Sequence, residues 1–184
     1  MIECLASIDE VLELLVRYLR KAPIVILGIG NELRRDDGFG SYLARSLSKY
    51  VSRYMKLKDV HIIDAGNAPE LYTDVLRKAS SGSVIFIDSV WCEGRRPGDI
   101  VAFVITLNEG DLSQQKVRLV TTHAPDIKMV LRAAGIPEAL TLGVVPSTID
   151  FGVGLTKPVA EAFTLLFTAF TRFFMKLENL NHFI

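Results

Sequence analysis

The run Pro23–Gly40, PIVILGIGNELRRDDGFG, decides the fold. Ile24–Gly28 is a continuous apolar stretch, the signature of a strand covered on both faces. The glycine-rich turn after it leads into SYLARSLSKY, whose apolar positions recur at helical spacing, so a helix is expected from about Gly38 to Tyr54. Such strand–turn–helix segments often cradle a phosphate on the turn. Here the turn carries Glu32, Asp36 and Asp37, which would repel an anion. A dinucleotide fingerprint would also need a third glycine where Leu33 stands. Acids on a tight turn suit a cation instead.

Working outward, Val60–Asp64 (VHIID) is a second strand, and Pro69 and Glu70 after AGNAP suit a helix start. Val84–Asp88 (VIFID) is a third strand. Unbroken apolar strands separated by helices imply a parallel sheet with helices on both faces. Only Ser89–Asp99 (SVWCEGRRPGD) then separates the third strand from the next, Ile100–Leu107. A parallel crossover takes a dozen or more residues, so the fourth strand must run antiparallel to the third. The stretch Asn108–Thr122 is long enough, at ~3.3 Å per residue, to climb back across the domain. A helix over about Ala124–Ala134, stopped by Gly135, leads to a fifth strand, Ala139–Val145, closed by Pro146. The last helix starts near Lys157, and Phe163, Phe167, Phe170 and Phe174 recur on it at core-packing spacing. At the N-terminus, Leu5, Ile8, Leu12, Leu15 and Leu19 mark residues 1–21 as an additional amphipathic helix.

A chain of 184 residues suits one hydrophobic core, so residues 1–184 are read as a single domain. Lys plus Arg and Asp plus Glu each number 21, which argues against a nucleic-acid partner. Cys4 and Cys92 lack close-spaced partners, so no zinc cluster or disulfide framework is legible and a reducing compartment is implied. The early acids and the lack of a cleavage site exclude a signal peptide, and no segment reaches the ~18 apolar residues of a membrane span. The expected location is the cytoplasm, without membrane insertion.

In an open α/β sheet, ligands bind beyond the carboxyl ends of the parallel strands. Asp36 and Asp37 follow strand one, Asp64 ends strand two, Asp88 ends strand three, and His123 arrives at the same edge. Any one of these is an ordinary turn former or helix cap. Two or three carboxylates and one imidazole converging there resemble a first-row metal site with open positions. His61 and His182 fall away from that edge and are incidental. No phosphate-loop lysine, His-Glu-x-x-His or Gly-x-Ser-x-Gly motif competes.

From Ile24 to about Phe170, these blocks together resemble the hydrogenase maturation endopeptidases, which trim the C-terminal extension of the [NiFe] hydrogenase large subunit after nickel insertion. ILGIGNELRRDDGFG, IIDAGNAPEL, VIFIDSV with RPGDIV, VTTHAPDIKMVLRAAGIPE and TLGVVPSTIDFGVGLTKPV are similar to the family's ordered blocks. The resemblance implies a three-layer α/β/α sandwich with a five-stranded mixed sheet, strand four antiparallel. It places metal contact and catalysis on Asp37, Asp64 and His123, with Asp36 and Asp88 in supporting or loop-ordering roles. It further implies a hydrogenase large-subunit precursor as partner, with nickel carried by that precursor and other divalent cations able to substitute in vitro. Many members read Gly-Ile-Gln-Pro where this chain has Gly143-Val144-Val145-Pro146, so a contact from that Gln amide is missing. Two other uses of the same acids stand beside this one: a metal-dependent small-molecule hydrolase, and a nickel-binding maturation factor without catalysis.

Overall fold

The computed structural model describes residues 2–107, 117–119 and 127–181. Strands β1 (Glu3–Leu5), β2 (Ile24–Ile29), β3 (Val60–Gly66), β4 (Ser83–Cys92), β5 (Ile100–Thr106), β6 (Val117–Leu119) and β7 (Glu138–Val144) alternate with helices. These helices are α1 (Ile8–Tyr18), α2 (Phe39–Tyr54), α3 (Thr73–Lys78), α4 (Ile127–Ala134) and α5 (Lys157–Asn181). Six strands form the main sheet in the order β1-β5-β7-β4-β2-β3. β3, β2, β4 and β7 are parallel, while β5 is antiparallel to β7, as the short Ser89–Asp99 connection requires. β6 pairs antiparallel with Val90–Cys92, where β4 continues beyond its expected end at Asp88.

The expectation of five strands is corrected to six in the main sheet. The sixth is β1, which pairs antiparallel with β5 through Glu3↔Ala102 and Leu5↔Ile100. Leu5 mimics helical spacing with Ile8 and Leu12, but Ser7 stops the helix short of it. The Ser7 side chain accepts the Glu10 N–H at 3.2 Å, and the Glu10 carboxylate accepts the Ser7 N–H at 3.2 Å, a reciprocal cap that fixes the start of α1.

Strand alternation sorts the core onto two faces. Ile24 and Ile26 of β2 point with Ile85, Ile87, Leu140 and Leu142 toward α1, α2 and α5. Val25, Leu27 and Ile29 point with Phe86, Phe103 and Ala139 toward α3 and α4. The result is the expected three-layer sandwich. On α5, Phe170 and Phe174 are fully buried, whereas Phe163 and Phe167 are half-buried and stack on each other at 6.1 Å. Burial of each of the first two is worth about 1.5–3 kcal/mol. Among the described residues, no helix is long and apolar enough to cross a membrane.

The end of β2 is set by close backbone approach. A Cβ on Gly40, in the first turn of α2, would lie 2.1 Å from the Ile87 carbonyl oxygen and 2.3 Å from that of Ile29. Absence of that carbon lets α2 start directly against β2 and β4, so the preceding turn is held at the carboxyl edge of the sheet.

Candidate active site at the carboxyl edge of the sheet

The turn between β2 and α2 closes through an Asp37 N–H to Arg34 C=O bond of 3.1 Å, and Arg35–Gly38 form one 3-10 turn. This turn buries both acids of the pair but gives them different work. The Asp36 carboxylate accepts the Ser147 N–H at 2.9 Å, the Thr148 N–H at 3.3 Å, the Thr156 N–H at 2.7 Å and the Thr156 hydroxyl at 2.8 Å. Its two oxygens thereby tie down the loop that follows β7. The Ser89 hydroxyl donates to the Asp36 carbonyl, and the Ser89 N–H bonds the Asp88 carboxylate at 2.7 Å. Asp36 thus orders the loop after β7, and Asp88 braces the adjoining Ser89 backbone.

Asp37 is nearly as buried, at 4% exposure, and its backbone lies against β2. A Cβ on Gly30 would lie 1.9 Å from the Asp37 carbonyl oxygen, and Gly30 sits at φ 145°, so glycine is demanded there twice over. Asp64 lies on the neighbouring strand β3. It stands opposite Gly28 in the β2–β3 ladder, and the Gly30 N–H donates to the Gly66 carbonyl at 2.9 Å. One Asp64 oxygen accepts the Gly66 N–H at 3.2 Å, a local turn bond. The other faces Arg45 Nε at 4.0 Å, with a third of the side chain still open to solvent.

The backbones carrying Asp37 and Asp64 therefore converge on the end of β2, one carboxylate buried and one accessible. His123, the imidazole of the expected set, lies outside the described residues. Among the described residues no three His, Cys, Asp or Glu side chains cluster as a metal would need. Two carboxylates are hard oxygen donors and fit a divalent cation, with an imidazole shifting preference toward nickel or zinc.

Three contributors were not singled out in the sequence. Arg45 on α2 forms an ion pair with Glu32 and stands beside Asp64, placing a positive charge next to that carboxylate. Tyr42, one turn earlier, lies under the Arg45 guanidinium at 5.7 Å and accepts the Gly154 N–H at 3.3 Å. Thr156 completes the clamp on Asp36. None has a local signature, although the i, i+3 spacing of Tyr42 and Arg45 puts them on one helix face. Val145, at the position where the resemblance led to the expectation of Gln, is buried against the α3–α4 side.

This architecture is that of a known class of protein. A solved structure, a [NiFe] hydrogenase maturation protease from Thermococcus kodakarensis KOD1, superposes with a TM-score of 0.68 at 22% identity, covering 89% of this chain and 99% of that one. At the sequence level the pattern of the family described as hydrogenase maturation protease matches residues 45–172. The chain is 31% identical to the hydrogenase 2 maturation protease of Escherichia coli K12 over 145 residues, 76% of this chain and 82% of that protein. It is 28% identical to a putative hydrogenase maturation protease of Methanocaldococcus jannaschii over 143 residues, again 76% and 82%. The chain belongs to the hydrogenase maturation protease family and is a peptidase.

Proposed function

We propose that the chain is an endopeptidase that removes the C-terminal extension of a nickel-loaded [NiFe] hydrogenase large-subunit precursor. In this proposal Asp37, Asp64 and His123 engage the nickel that the substrate brings. The observation that carries it is the convergence of Asp37 and Asp64 on the end of β2, beside a loop ordered by Asp36. Two carboxylates and one imidazole leave positions for the substrate's own ligands, unlike a closed structural site. Only a loaded precursor would then present both the missing donors and the scissile bond, which gives a physical reason for processing to follow metal insertion.

Nickel in this position would polarise the scissile carbonyl or lower the pKa of an attacking water. The protein's share is to hold Asp37 rigid and keep Asp64 accessible. An accessible carboxylate can take a proton from water within hydrogen-bond reach, which favours Asp64 over Asp37 as the general base. Formal neutrality of the chain leaves little long-range steering, so recognition rests on short-range contacts.

Mass spectrometry of the precursor tests this. Incubation with nickel-loaded precursor should shorten it at one site near its C-terminus, and the metal-free precursor should stay intact. Asp37→Asn and His123→Ala should each lower the processing rate by at least about 100-fold, the order seen when a group acting in the transition state is lost. Full cleavage by either folded variant removes that residue from the site, and a precursor of unchanged mass with the wild-type chain refutes the proposal.

A further inference from the structure

We infer that Leu33, Phe151 and Val153 form a preformed apolar platform on which the folded body of the large-subunit precursor docks, an inference that rests on the processing proposed above. Leu33 is 54% exposed, Phe151 84% and Val153 71%. Single exposed apolar side chains are ordinary, but a cluster on paired loops marks an interaction surface.

The pairing is explicit. The Gly152 N–H donates to the Leu33 carbonyl at 2.8 Å, and the Arg35 N–H donates to the Gly152 carbonyl at 2.9 Å. Arg34 and Gly152 make a parallel bridge, and Arg34 Nε donates to the Ile149 carbonyl at 3.1 Å. Phe151 and Val153 therefore flank the residue that is bonded to the turn at Leu33. Beneath them Asp36 clamps Ser147, Thr148 and Thr156, and Tyr42 bonds Gly154. Arg35 is held at φ 48°, a region disfavoured for a side chain with a Cβ, which persists where the surroundings over-determine it. The three apolar groups are thus presented by an anchored backbone that needs little further ordering on binding, which lowers the cost of forming a few strong contacts.

Position selects the occupant. The platform and Asp37 share one turn, so tight that a Cβ on Gly38 would lie 2.7 Å from the Cα of Glu32, next to Leu33. Anything seated on Leu33, Phe151 and Val153 borders the site. A second copy of this chain would block substrate access there, whereas the substrate has to arrive there. The formal net charge of zero leaves affinity to local contacts of this apolar kind.

The double variant Phe151→Ser/Val153→Ser tests the inference, with Phe151→Leu as the conservative control. Immobilised nickel-loaded precursor gives Kd, and processing gives KM and kcat. The double variant should raise Kd and KM by about tenfold or more and leave kcat at saturating precursor within about twofold. Phe151→Leu should stay within about threefold of wild type in all three. Thermal unfolding should be unchanged for both variants, since the replaced side chains are solvent-exposed in the free protein. Unchanged Kd and KM in the double variant overturn the platform, as does a wild-type dimer that the double variant abolishes without weakening precursor binding. A wild-type chain that neither binds nor shortens the precursor overturns the processing proposal and the platform with it. Normal wild-type processing beside an unimpaired double variant overturns the platform alone.

Discussion

Replacing Asp36 with alanine should cost the protein about 3–5 kcal/mol of stability without removing any group proposed to touch the substrate. Its carboxylate accepts four bonds, at 2.9, 3.3, 2.7 and 2.8 Å, from Ser147, Thr148 and both the N–H and hydroxyl of Thr156. Hydrogen bonds to a charged group contribute about 1.5–3 kcal/mol each. Their sum is not lost, because removing the buried charge also relieves its desolvation and the freed loop can reach water. Asp36→Asn keeps the shape and one acceptor oxygen but turns an amide NH2 toward a donor, so about 2 kcal/mol is expected. With a urea slope of about 2 kcal/mol per molar, the two variants should lower the unfolding midpoint by about 2 M and 1 M. Hydrogen exchange at the Ser147, Thr148 and Thr156 amides should accelerate in both. A loss below about 1 kcal/mol for Asp36→Ala, with those amides still protected, refutes the clamp as the element that orders this loop.

Two further outcomes follow from named contacts. Gly40→Ala places a methyl 2.1 Å from the Ile87 carbonyl oxygen, which cannot move without breaking the sheet, so it should cost about 3 kcal/mol or more. An unfolding midpoint equal to wild type would exclude that close approach. Arg45→Gln removes a cation 4.0 Å from Asp64, and should raise the affinity for added Ni2+ or Zn2+ about three- to fivefold by titration calorimetry, a gain kept small by solvent screening. Weaker binding would mean that the guanidinium orients Asp64 rather than competing with the metal.

The layers of the sandwich were legible because each rested on a local rule. Ile24–Gly28 is apolar at every position, so it had to be covered on both faces, and it is. The eleven residues Ser89–Asp99 are too few for a parallel crossover, and β5 runs antiparallel. Gly135 ends α4 in the left-handed conformation at φ 71°. By contrast, Glu3–Leu5 is too short to show a strand period, and Leu5 coincides with the spacing of the following helix. Only the unpaired side of β5 makes a strand of it.

At the site, the sequence by itself placed acids toward the carboxyl ends of the parallel strands, because apolar runs and glycine turns are written locally, although β3 runs on past Asp64 to Gly66 and β4 past Asp88 to Cys92. Which donors each acid meets was decided in three dimensions. Asp36 and Asp37 are neighbours of the same chemistry, yet one turn of 3-10 helix aims Asp36 at donors more than a hundred residues away and leaves Asp37 beside the end of β2. A carboxylate's role depends on the donors and solvent around it, and those come from segments distant in the chain, so no local pattern can encode it.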